Sequence, residues 1–143
     1  MLREIKYRGK TVSDGTTWVE GGYYKHEKVT LCPMGLSQQD ILDNELHLII
    51  RGGFSDWNLP AALQCYEVLP ETVGLFSGIC DINKKEIYEG DIYDLDGDRY
   101  IVVWSGVSLI GKQVKGEKYS ELPKCYTQIE IIGNATDNPE LLA

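Results

Sequence analysis

Few residues in this chain have the types and spacing that chemistry needs. The cysteines Cys32, Cys65, Cys80 and Cys125 and the histidines His26 and His47 are far apart in sequence. Zinc sites usually draw converging ligands from short Cys-x-x-Cys or His pairs, so no metal is expected. Asp94-Leu95-Asp96-Gly97-Asp98 superficially resembles a calcium loop. Its Gly97 comes too early, however, and Ser105 stands where the distal bidentate Glu belongs. A hairpin turn accounts for it better. Gly106-Val107-Ser108-Leu109-Ile110-Gly111 lacks the second Gly two residues after Ser that a nucleophile elbow requires. Neither the phosphate-loop spacing nor the dinucleotide fingerprint occurs, which disfavours nucleotide-dependent chemistry, and no cofactor is expected.

Carboxylates offer a second route to chemistry. Glu71, Glu86, Glu89 and Asp91 could supply an acid and base pair, with Glu89 and Asp91 on one face if a strand continued through Gly90. The competing reading of Glu89-Gly90-Asp91 is structural: Gly90 takes a positive φ between two strands and Asp91 ties its side chain to nearby backbone N–H groups. That reading is preferred, no catalytic residue is assigned, and the chain is not expected to be an enzyme. His26 lies in the charged run Lys25-His26-Glu27-Lys28 and His47 in an apolar run, so a surface or packed role is expected for each. The candidate binding residues are Arg51, Phe54 and Trp57. Gly52 and Gly53 allow a sharp excursion, Phe54 and Trp57 stand three residues apart, and Arg51 sits close by. Aromatic and Arg side chains dominate protein-interface hot spots, and aromatics stack on unpaired bases. Alternatively, both rings fold back to cover a strand edge or plug a barrel end.

The elements that must position these residues are mostly strands. Glu4-Ile5-Lys6-Tyr7-Arg8 alternates polar and apolar residues. Ser13-Asp14-Gly15-Thr16 is a turn and Trp18-Val19-Glu20 is β-prone until Gly21-Gly22 interrupts, so residues 3–20 read as a hairpin. Tyr23 to Leu31 continues the sheet. Residues 32–64 are ambiguous: Ser37-Gln38-Gln39-Asp40 resembles a helix start, whereas Leu46, Leu48 and Ile50 fit a strand as well as a helical face. Pro60 could open a helical turn through Leu63. Strands follow at Cys65–Val68 and from Ile87, with a corner at Pro70–Gly74 between them. Ile92–Leu95 and Arg99–Trp104 flank the turn-forming pair Asp96-Gly97 as a hairpin. Residues 106–123 read as a polar excursion and Thr127–Ile132 as a last strand. Asn138-Pro139-Glu140 opens a terminal helical turn.

With 143 residues, 43% hydrophobic and 25% charged, the chain has one ordinary domain's length and a globular composition. Nine Tyr, three Trp and 15 Gly against two Phe and two Met favour strands and tight turns. A net charge of -8 repels nucleic acid and anionic membrane on average. The start shows no apolar leader and no stretch matches a membrane span, so a cytoplasmic protein with reduced, mostly buried thiols is expected.

Residues 68–92, VLPETVGLFSGICDINKKEIYEGDI, resemble the signature of the YopX family of phage and prophage proteins. The opening MLREIKYRGK with WVEGGY, the later IEIIGN and the ending NPELL resemble that family's in the same order. The departures are Lys85, where the family commonly has Gly, and Ser77 with Ile79-Cys80, where a Thr-Gly-Leu run is usual. The resemblance implies a phage or prophage origin and a β-rich fold with a barrel-like C-terminal half, and it supplies no reaction. The expected fold class is mainly β: an N-terminal hairpin region over residues 1–64, and an SH3-like small barrel over 65–143 closed by a short helical turn, packed as one compact unit. The expected function is an accessory or protein-binding module without catalysis, docking on a host or phage protein. Alternatives are a nucleic-acid-binding protein or an enzyme of unrecognised type. Self-association as a dimer is expected from exposed strand edges.

Overall fold

The structure, a computed structural model, describes residues 4–53, 57–122 and 126–143. It is mainly β and the described residues fall into two compact units: Lys6–Val73, and Gly74–Ala143 together with Glu4 and Ile5.

The first unit holds β1 (Tyr7–Lys10), β2 (Trp18–Glu27), α1 (Gln38–Asn44), β3 (Glu45–Gly52) and β4 (Leu63–Glu67), then a 3-10 turn at Pro70–Thr72. Its strands are antiparallel in the order β4-β3-β2-β1. β1 and β2 form the expected hairpin, whose turn is tied by the Asp14 carboxylate. That group accepts from the backbone N–H of Thr16 and Thr17, at 2.9 and 3.0 Å, and from the Thr11 hydroxyl at 2.7 Å. Gly21 and Gly22 do not interrupt the sheet, because β2 runs straight through them to Glu27. At Gly21 a side chain would collide with the Ile50 carbonyl oxygen, so glycine there permits close backbone approach to β3.

The ambiguous stretch resolves into both alternatives in turn. Ser37 caps α1 in a capping box with Asp40, and the chain then passes directly into β3. Pro60 opens no helical turn; residues 60–62 are irregular and Leu63 already begins β4. Beyond β4 the Val12 N–H donates to the Glu67 carbonyl and the Leu69 N–H to the Lys10 carbonyl, both at 2.9 Å, around an antiparallel bridge between Thr11 and Val68. The sheet therefore curls until its two edges meet at one end. Val19, Ile49 and Val68 form the core there, with Tyr7, Tyr23, Tyr66 and Val73 packed against them.

The second unit holds β5 (Gly74–Cys80) and β6 (Glu86–Tyr88) as an antiparallel pair. It also holds β7 (Asp91–Leu95), β8 (Asp98–Ser105), β9 (Ser108–Gln113), β10 (Tyr119–Ser120) and β11 (Ile131–Asn134) in the sheet order β10-β9-β8-β7-β11. Asp96 and Gly97 take φ of 53° and 85°, the conformation a two-residue β7–β8 hairpin requires. The expected excursion at 106–123 instead contains β9, paired along the length of β8. Its pattern is masked by Gly111, over which the Tyr93 hydroxyl reaches to Ser120. The sheet is open, since β10 and β11 are edges that do not pair with each other; the closed barrel expected here is not formed. Its core is Ile87, Tyr93, Tyr100, Val102, Leu122, Ile129 and Ile131. A 3-10 turn at Pro139–Leu142 ends the chain.

The unit boundary falls at Val73/Gly74, beyond the 64/65 division read from sequence, because β4 pairs with β3 and the 3-10 turn packs against β1. Among the described cysteines, Cys32 and Cys65 are exposed rather than buried, and Cys80 is half-buried; all three are free thiols. Cys65 sits on an edge strand, on the face opposite the core residue Ile49. Among the described residues no helix is long and apolar enough to cross a membrane.

Candidate functional site

The sequence-derived candidates separate in the structure. Arg51 is not on a loop but on β3, where its guanidinium stands 4.8 Å from the Tyr66 ring centroid and donates to the Tyr66 hydroxyl at 3.3 Å. That hydroxyl in turn donates to Gln64 Oε1 at 2.7 Å. Phe54 lies outside the described residues. Trp57 is 91% exposed, so it does not plug a core, and Leu59 and Leu63 beyond it are 64% and 76% exposed. The β3–β4 connection and the first residue of β4 therefore present three large apolar side chains to solvent.

At Glu89-Gly90-Asp91 the backbone makes a tight turn. Gly90 has φ of 91°, its N–H donates to the Val102 carbonyl at 2.8 Å, and its own carbonyl accepts from Ala135 at 2.9 Å. The Glu89 N–H donates to Leu75 at 3.0 Å. Asp91, 1% exposed, accepts from the Tyr88 N–H at 2.8 Å. These contacts join β5, β6, β7, β8 and the segment after β11.

A constellation that sequence reasoning missed lies on the core face of the first unit. Register places Tyr23, Lys25 and Glu27 of β2 opposite Ile49, His47 and Glu45 of β3, so all six project to one side. The Tyr23 hydroxyl is 2.6 Å from His47 Nδ1, His47 Nε2 is 3.6 Å from Glu45, and Lys25 Nζ is 3.1 Å from the other Glu45 oxygen. A proton on Nε2 facing Glu45 leaves Nδ1 to accept from Tyr23. Burial pushes the Tyr23 phenol above its ordinary range, against the opposing field of Lys25. Hydrogen bonding to Glu45, then its charge, raises the Lys25 ammonium. The phenol is therefore protonated at neutral pH: it is a hydrogen-bond donor rather than a nucleophile. Tyr7 packs on Tyr23 with ring centroids 5.4 Å apart, extending the polar chain into the aromatic wall. Nothing in the sequence spacing reveals this network, because Tyr23 and His47 meet only through strand register.

Two clefts are lined by described residues. One, of about 350 Å³, lies in the second unit between the β7–β8 hairpin, β9 and the terminal 3-10 turn. Its main cation is already engaged: Arg99 Nε donates to Asp94 at 3.0 Å and Nη1 to the Leu141 carbonyl at 3.4 Å, which fastens the terminal turn to β8. The other, of about 240 Å³, lies in the first unit beneath the β2–α1 connection. Among the described residues no group of three or more His, Cys, Asp and Glu converges to hold a metal ion.

Fold and site together define a two-unit, mainly β protein whose surface carries apolar side chains on a sheet connection and charged networks on a sheet face. The YopX protein family model matches residues 13–143, and the chain belongs to that family. The chain is also similar to protein EF1440 from Enterococcus faecalis. Its crystal structure aligns at a TM-score of 0.48 and 16% identity, over 99% of this chain and 100% of that one. No curated protein matches the chain.

Proposed function

We propose that the protein is a small phage- or prophage-encoded accessory module that works by binding another protein, of host or phage, in the bacterial cytoplasm and without catalysis of its own. The observation that carries this reading is the exposure of Trp57 and Leu59 on the β3–β4 connection and of Leu63 where β4 begins. Large exposed aromatics cost solubility and rarely cluster with other exposed apolar residues unless a partner covers them. The acidic balance favours a protein partner over nucleic acid, since -8 charges oppose approach to phosphate.

The test is affinity capture from prophage-bearing cells with wild-type protein and Trp57→Ala as baits. The expected result is a specific partner lost with Trp57→Ala while the melting temperature stays unchanged. Capture that is indifferent to Trp57, or tight binding of DNA or RNA that falls steeply with added salt, would replace this reading by another.

A further inference from the structure

From the groove at the far end of the curled sheet we infer a second docking surface, which takes a segment of a partner protein that is both apolar and basic. The groove is lined by Leu31, Leu36 and Ile41 on the side of the β2–α1 connection and helix α1, and by Glu27 and Glu45 at the strand ends. Its apolar wall is open to solvent, with Leu36 and Ile41 exposed by 37% and 39%. At about 240 Å³ it has room for a large apolar side chain.

The wall is held in place before any partner arrives. Asn44, 8% exposed, donates to the Val29 carbonyl at 2.8 Å and accepts from the Val29 N–H at 3.1 Å. Two hydrogen bonds at one buried amide thus fix the connection against α1, and a preformed site loses less entropy on binding.

Charge decides the occupant. Glu27 and Glu45, both lining the groove, are direct cross-strand partners, and like charges in that arrangement repel. Lys25 is the ammonium beside them, and it is bound to Glu45 at 3.1 Å. One ammonium therefore serves two carboxylates. Lys28 does not redress the balance, because its Nζ is turned to the Asp43 carbonyl at 2.8 Å. A Lys or Arg from a partner, placed at Glu27 while an apolar neighbour enters the groove, satisfies both features at once. An acidic or purely apolar segment satisfies at most one. This surface is separate from Trp57 and stands or falls independently of it.

The probes are two acetylated, amidated synthetic peptides, one alternating Leu and Lys and one alternating Leu and Glu. Binding to the full chain is followed by amide chemical shifts. The expected result is saturable binding of the Leu/Lys peptide with shifts concentrated at residues 27–45, and at least fivefold weaker binding of the Leu/Glu peptide. Glu27→Lys should weaken the Leu/Lys peptide about fivefold or more by replacing attraction with repulsion. Glu27→Gln should weaken it less, yet raise the melting temperature of the free protein by about 1 to 3 °C by removing the cross-strand repulsion. Trp57→Ala should change nothing. Ile41→Ser should weaken binding too, and if that variant unfolds, the Glu27 variants and the shift map still decide. Shifts spread over the whole acidic surface, binding unchanged by Glu27→Lys, or equal affinity for both peptides would overturn the inference. Concentration-dependent shifts at 27–45 without peptide would also overturn it, by showing that a second copy occupies the groove.

Discussion

Asp81 shows how much one buried side chain can organise. At 6% exposure, its Oδ1 accepts from the N–H groups of Asn83 and Lys85, both at 2.9 Å, and its Oδ2 from Ile131 at 3.0 Å. It thereby joins the β5–β6 turn to β11. Truncation leaves three backbone donors unsatisfied, so Asp81→Ala should cost about 3 to 5 kcal/mol in urea unfolding, with Asp81→Asn losing less because it keeps one acceptor. Gly90 tests conformation rather than space. A side chain there would meet no atom within 4 Å, but φ of 91° is strained for any branched residue. Gly90→Val should cost about 2 to 3 kcal/mol and Gly90→Asn clearly less, since Asn tolerates positive φ. Equal costs for the two would show that another property of the glycine matters. Asp14 carries a pH dependence. Hydrogen bonds from Thr17, Thr16 and Thr11 hold its carboxyl well below the ordinary value of 3.8. A lowered folded value means that its stabilisation is complete above that ordinary value and is lost as pH falls through the lowered one. Amide exchange at Thr16 and Thr17 should therefore accelerate, relative to its intrinsic rate, below about pH 4, and Asp14→Asn should remove that acid step.

Which elements were legible in the sequence depended on whether their cues were local. The β7–β8 hairpin was readable because its Asp-Gly pair specifies a tight turn, and the β1–β2 hairpin because Ser13-Asp14-Gly15-Thr16 marks a turn, both without help from the rest of the chain. The start of α1 was readable because Ser37 and Asp40 satisfy each other across one turn. The length of β2 and the existence of β9 were not, because Gly21 and Gly111 look like breaks until the Ile50 carbonyl and the Tyr93 hydroxyl are seen to need the space. The same limit applied to the site. Arg51 and Trp57 were singled out from residue type alone, whereas the Tyr23–His47–Glu45–Lys25 network required knowing that β2 and β3 pair in one particular register. At this scale Trp57→Ala should leave the thermal midpoint within about 1 °C of wild type, since a side chain already 91% exposed contributes little burial. A drop as large as core aromatic truncation causes, about 3 kcal/mol or more, would show that the β3–β4 connection is packed in solution.

For the molecule as a whole, exposed strand edges govern self-association. In β4 the Val68 N–H donates to His47 and Ala62 accepts from Gly53, so alternation turns Gln64 and Tyr66 toward β3 and leaves Leu63, Cys65 and Glu67 directed outward. Glu67 is then capped by Val12, where the sheet curls onto itself. The open edge is thus the short stretch Leu63–Cys65, with Leu63 76% exposed. In the second unit β10 is only two residues long, a form of edge that resists pairing. Antiparallel pairing of two β4 edges about a twofold axis is the assembly this pattern favours, and so short an edge predicts a weak dimer that dissociates on dilution. Light scattering at micromolar to millimolar concentration should show mass rising from the 16.1 kDa monomer toward twice that value. Leu63→Lys should hold the protein at the monomer mass, because a charge on an edge strand opposes pairing. A wild-type mass fixed at 16.1 kDa across that range would exclude the edge as a self-association surface and leave it to a different partner.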